Sequence, residues 1–172
     1  RVVVLTVGLP SSGKTTYSKV LVSTDSNRWK RINRDDVRLM LHGANHDYAN
    51  KSHESAVTEV CNASLRGMLE AGFDCVIDNT HLDSRSRKAI HQIAEEHGEC
   101  VVVEKMFEVP VEECLRRNAL REGIARVPDS VILSMAKKAN VSKAGKFQQL
   151  RDKTTVYSSV SNYGGPPLND ES

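Results

Sequence analysis

The sequence predicts an α/β fold, with a central parallel sheet of about four strands flanked by helices. Three observations carry this expectation. Short β-branched apolar runs alternate with helix-spaced segments from Val2 to Lys138. The first run, VVVLTV (Val2 to Val7), is apolar along nearly its whole length, as a strand covered on both faces requires. That run passes directly into GLPSSGKTT, a glycine-bounded loop that opens a helical pattern.

The elements follow in order. Lys14 to about Val22 reads as a helix, and WKRIN (Trp29 to Asn33) as a second, weaker strand. Ser52 to about Ala71 places Val57, Val60, Cys61, Leu65, Met68 and Leu69 three and four residues apart, the spacing of one helix face, and Gly72 ends it. DCVIDNT (Asp74 to Thr80) is a third strand. Asp83 is placed to cap a helix that stops near Gly98, and CVVVEKMF (Cys100 to Phe107) is a fourth strand. Pro110 opens a helix through about Asn118, and Asp129 caps another to about Lys138. A last helical piece is expected near Lys146 to Lys153. Residues 1–155 form one domain on this reading. Residues 156–172, rich in Gly, Pro, Ser and Asn, read as a linker-like tail that could lead to another domain.

Bulk properties exclude little. The chain has 172 residues, enough for one real core, and a net charge of +2, so overall charge does not announce nucleic-acid binding. The four cysteines form no C-x-x-C pair and read as buried free thiols of a reducing compartment, which predicts an intracellular protein, cytoplasmic or nuclear. No signal-peptide pattern or membrane-length apolar run occurs. A start at Arg1 rather than methionine reads as an excised domain.

Gly8, Gly13, Lys14 and Thr15 satisfy G-x-x-x-x-G-K-[ST]. Glycines let the backbone curl so that its N–H groups point at phosphate oxygens, and the helix N-terminus adds positive potential. Pro10, Ser11, Ser12, Gly13, Lys14, Thr15 and Thr16 are therefore the expected nucleotide loop for ATP or another NTP. Lys14 would reach the β- and γ-phosphates, and the Thr15 hydroxyl would bind Mg²⁺. The motif alone does not separate a kinase from a GTPase, a motor or a regulator. There is no N-K-x-D base-reading motif, and the chain is short for a motor.

On such sheets ligands bind beyond the strands' carboxyl ends, where Gly8, Asn33/Arg34 and Asn79/Thr80 all fall. INRDDVR (Ile32 to Arg38) puts Asp35 and Asp36 beside Arg34 and Arg38. A carboxylate there can take a proton from an attacking hydroxyl, a step typically worth ~10²–10⁴-fold. An arginine three residues on can hold an anion in bidentate fashion. Acidic enrichment of a helix N-terminus explains the aspartates equally well. Asp78, ending the third strand, stands where an acid would sit near Mg²⁺, or is a plain turn residue.

LTVGLPSSGKTT, INRDDVR and FEVPVEECLRRN…R…VP, in this order and at this spacing, resemble the kinase domain of phage-type polynucleotide 5′-kinases. The resemblance spans about Val2 to Lys138; NRDD with its following arginine is its more specific part. It implies a P-loop kinase fold with a helical arginine lid, and transfer of the γ-phosphoryl group of ATP to the 5′-hydroxyl end of DNA or RNA. By this likeness Asp35 is the general base and Arg38 holds the phosphate 3′ of the terminal nucleotide. Within CLRRNALREGIARVP, Arg121 would contact the moving phosphoryl group and Arg117 the nucleotide. Arg116 and Arg126 read as solvated. His81 stands where many relatives carry Asn, and reads as exposed or helix-capping. Arg28, Lys30, Arg31 and Arg34 could line a funnel for a nucleic-acid backbone. A small-molecule kinase and a non-catalytic nucleotide-binding module share much of this pattern and stay open. So do homo-oligomerisation and fusion to other end-processing domains.

Overall fold

The computed structural model describes residues 1–43, 47–148 and 153–157. Strand β1 (Val2–Gly8) lies at the centre of the sheet, between β3 (Asp74–Ile77) and β4 (Cys100–Phe107), and is parallel to both. Strand β2 (Trp29–Ile32) pairs in parallel with the outer edge of β3. A fifth strand, β5 (Lys153–Tyr157), runs antiparallel along β4, so the order is β2-β3-β1-β4-β5. The sheet is thus mixed, with the four expected parallel strands plus one.

Helix α1 (Lys14–Thr24) links β1 to β2, and α2 (Arg34–His42) with α3 (Lys51–Glu70) links β2 to β3. Helix α4 (Ser84–His97) carries the chain across β1 to β4. Helices α5 (Val111–Ala119) and α6 (Asp129–Lys138) follow β4. The chain leaves β1 toward one side of the sheet and later returns to the other, so the carboxyl end of β1 is a topological switch point, the usual crevice for ligands.

Burial explains the patterns. Val3, Leu5, Val7, Val57, Leu65, Leu69, Ile77, Ile90, Ile93 and Val102 form the main core between sheet and helices. A smaller cluster of Leu9, Cys114, Ile132 and Ala136 anchors the phosphate loop to α5 and α6. All four cysteines are buried and free, and burial raises each thiol's pKa, that of Cys75 to about 12. No helix among the described residues is long and apolar enough to cross a membrane.

Three sequence expectations differ from the structure. Residues 146–148 are not helical: Phe147 is buried and bridges to Val141, folding this stretch back on itself; residues 149–152 lie outside the described set. The spacing of Phe147 and Leu150 mimics a helix face, whereas a buried aromatic anchor accounts for the described part. Pro128, not Asp129, takes the cap position of α6, and the Asp129 carboxylate instead accepts from Asn118 Nδ2 at 3.1 Å. The boundary expected after residue 155 falls inside β5; residues 158–172 of the expected tail lie outside the described set.

Candidate active site

The phosphate loop is shaped by two close constraints. A Cβ on Gly8 would meet Ser12 Oγ at 2.8 Å and Phe107 Cβ at 2.9 Å, so only glycine fits there. Gly13 has φ 102, a left-handed conformation that turns the chain into α1. Ser11 also has positive φ (64), and its buried hydroxyl has no hydrogen-bond partner among the described residues. A strained residue with an orphaned buried donor suits a cradle completed by an oxyanion.

Lys14 is buried inside this loop, donating to Leu9 O and, at 3.4 Å, to Ser12 Oγ. Burial lowers its pKa from 10.5 to about 8, although Asp78 and Asp35 oppose the fall. Arg121 pushes in the same direction as burial. Asp35, Asp78 and Arg121, far apart in sequence, are therefore all within electrostatic reach of one ammonium.

Thr15 Oγ1 lies 3.3 Å from Asp78 Oδ1. A hydroxyl and a buried carboxylate at the end of a phosphate loop form a hard oxygen donor pair suited to Mg²⁺. The other Asp78 oxygen accepts from Arg31 at 2.7 Å, and Arg31 also pairs with Asp36. Charge pairing thus lets Asp78 stay nearly inaccessible.

Two asparagines join the strand ends. Asn33 caps α2 by accepting from Asp36 N at 3.0 Å, and its Nδ2 donates to Asp78 O. Asn79 Oδ1 accepts from Arg34 N at 2.9 Å. Asp35, in the first turn of α2, and Arg38, one turn on, are therefore tethered beside the strand end that carries Asp78. Asp35 is exposed, and Arg38 Nη1 holds its carboxylate at 2.6 Å. Arg38 also makes a two-point contact with Glu54 of α3, at 2.8 Å each. Arg34 donates to the same carboxylate and to Thr58. Hydrogen bonds from Arg38, then Arg34, bring the Glu54 pKa down to about 2. Glu54 was not among the sequence candidates; Asn33 and Asn79 were read only as strand-end positions, and Arg31 only as part of a basic funnel, not as the partner of Asp78. Asn33 carries a visible signal as a cap residue between a strand and an acidic first turn; the other three depend on contacts across the fold.

Other expected roles come out differently. The basic residues proposed to line a funnel are committed elsewhere: Arg28 to Asp74, Arg31 to Asp78 and Asp36, and Arg34 to Glu54, while Lys30 lies over the Phe73 ring. His81 is neither exposed nor capping. It is buried, Asp83 caps α4, and a His81 Nδ1–H donates to Thr6 O at 2.9 Å. Burial lowers its pKa to about 4, so it acts as a neutral brace between β1 and the end of β3. The arginine lid is not helical throughout. Helix α5 ends at Ala119, so Arg121 does not continue the face of Arg117. Arg121 sits in a loop with a 3₁₀ turn at Gly123–Ala125, donating weakly to Ala125 O at 3.4 Å. Arg117 and Arg116 both pair with Glu113 on α5.

Residues 3–141 match the family AAA_33, an AAA domain. The chain belongs to this family. A protein assigned as a bifunctional polynucleotide kinase/RNA ligase of Autographa californica nuclear polyhedrosis virus is 28% identical over 127 residues, which is 67% of this chain and 17% of that protein. A chain from the Pnkp1/Rnl/Hen1 RNA repair complex is 27% identical with a TM-score of 0.68, covering 87% of this chain and 50% of the other. Another Pnkp1/Rnl/Hen1 structure gives 31% identity and a TM-score of 0.60, over 67% of this chain and 38% of that one. This chain therefore spans half or less of these relatives. An APS kinase, CysC of Mycobacterium tuberculosis, solved with AMPPNP and APS, shares the fold at 13% identity and a TM-score of 0.57. Family and architecture together make the chain an AAA_33 domain with the fold of a P-loop kinase.

Proposed function

We propose that this domain transfers the γ-phosphoryl group of ATP to a 5′-hydroxyl end of nucleic acid. The observation that carries the reading is the Asp35 carboxylate. It is exposed at the head of α2, tethered to Arg38, and close enough to the phosphate-loop Lys14 to influence its ionisation. The likeness to polynucleotide kinases over most of the chain supports the same acceptor.

ATP would supply the phosphoryl group, and Mg²⁺ would offset its charge. Residues 10–16, with Ser11 and Lys14 foremost, would hold the phosphates; Thr15 and Asp78 would hold the metal. Asp35 accepts the proton of the incoming hydroxyl, and Arg38, already oriented by Glu54, is left to grip the adjoining phosphate. Arg121 draws in from its loop as negative charge accumulates, and Arg117 borders the nucleotide. The pairing of Arg28, Arg31 and Arg34 with carboxylates argues for recognition of a terminal nucleotide rather than a long strand. Fusion to other end-processing domains and an intracellular setting belong to the same proposal.

The test is label transfer from γ-labelled ATP to matched 5′-OH DNA and RNA oligonucleotides, beside a panel of small hydroxyl metabolites. Asp35→Asn should retain ATP binding and transfer at least about a hundredfold more slowly. Near-normal turnover by that variant rejects Asp35 as base; transfer to a metabolite alone rejects the nucleic-acid acceptor.

A further inference from the structure

Aromatic side chains are scarce, at 5% of the sequence, and nearly all of those described are at least partly buried. Tyr48 is the exception: among the described residues it is the only aromatic in the exposed class, at 69%. Its place is informative. The guanidinium of Arg38 lies over its ring, 5.1 Å from the centroid, and the same guanidinium holds Asp35 at 2.6 Å. Tyr48 therefore flanks the anion-binding arginine and, through it, the carboxylate assigned as base.

The backbone on either side of this ring is hydrogen-bonded. Asp47 Oδ1 accepts from Ala49 N at 2.9 Å, and Asp47 O accepts from Asn50 N at 3.1 Å. Asn50 then caps α3 by accepting from Ser52 N at 2.9 Å. Tyr48 sits in a hydrogen-bonded turn that leads into the capped start of α3. A large ring held in solvent in this way loses hydrophobic stabilisation that burial would give, so a ligand that covers it gains that term.

We infer that Tyr48 is the stacking platform for the base of the terminal acceptor nucleotide, with Arg38 backing the ring and gripping the phosphate beyond. This inference rests on the acceptor reading above. Stacking needs only a π-face, so the platform accepts any of the bases, and loss of the ring should weaken binding by about tenfold. It also accounts for end recognition without a basic groove, since one stacked base and one phosphate define a terminal nucleotide.

Two 5′-OH oligonucleotides that differ only in the first residue, one with its base and one abasic, separate the outcomes. The intact protein should show a KM for the abasic end raised by about tenfold. Tyr48→Ala should raise KM for the ordinary end by a similar factor and erase the difference between ends, with kcat changing little. Tyr48→Trp should keep the preference. If the ordinary protein transfers to both ends and Tyr48→Ala preserves its preference for the base, the platform is overturned and the acceptor reading stands. If the ordinary protein uses neither end but phosphorylates a small hydroxyl compound, the acceptor reading itself fails and the platform with it.

Discussion

Lys14 faces two opposed demands. Phosphate binding needs a cation, yet the loop that positions it removes water, and that burial lowers its pKa to about 8 from 10.5. Below about pH 8 the ammonium is charged in both the folded and the unfolded chain, so the ligand-free fold bears the desolvation cost. As pH rises from about 8 toward 10.5, the folded chain has released its proton while the unfolded chain has not, and the cost is relieved. Lys14→Met should therefore raise the Tm of the ligand-free protein at neutral pH, and the gain should shrink as pH climbs through that window. The same variant should lose the Tm increase that ATP gives the ordinary protein. Thermal melts at several pH values, with and without ATP, check both parts; a Lys14→Met protein less stable than its parent at pH 7 would mean that the bonds to Leu9 and Ser12 outweigh desolvation.

The lid owes its shape to one buried side chain. Asn118 is fully buried near the end of α5, and its amide donates to Val127 O at 2.6 Å while its carbonyl accepts from Val127 N at 3.0 Å. This pair of bonds imitates a strand partner and closes the loop that carries Arg121. Asn118→Ala would leave both Val127 groups without their partner, a loss of about 2–4 kcal/mol. Denaturant unfolding should register it, and phosphoryl transfer should slow more than ATP binding weakens, because Arg121 loses its fixed tether. Strand β1 and helices α3 and α4 were legible because they rest on local signals: the continuous apolar run of β1, apolar spacing along α3, and the cap at Asp83. The lid was legible only as the end of a helical pattern near Asn118 and through the family resemblance. Its closure rests on the contact from Asn118 to Val127, nine residues on, which no periodicity records.

Across the whole molecule the same division separates the site from the sheet's edge. The phosphate loop, the Ile32–Arg38 segment and Asp78 could be placed together from sequence because parallel α/β topology sends every strand end to one side. The network of Asn33, Asn79 and Glu54 that fixes their heights could not, since each contact spans at least 16 residues. Strand β5 was missed for a related reason. KTTVY is short, and an edge strand takes most of its stability from its neighbour. Its anchor lies outside the motif: Glu104, buried on β4, accepts from His91 Nε2 at 2.8 Å, and His91 Nδ1 meets the Tyr157 hydroxyl at 2.9 Å. Because β5 pairs, among the described residues, only with β4, while the opposite edge of β4 pairs with the phosphate-loop strand β1, stability and ligand binding should respond separately to its removal. Truncation after residue 152, compared with truncation after residue 157, should cost about 2–4 kcal/mol, or roughly 5–15 °C in Tm. ATP affinity at a temperature where both proteins are folded should stay within about threefold. A larger fall in ATP affinity would mean that the edge strand helps to set the register of β1 and therefore the curl of the phosphate loop.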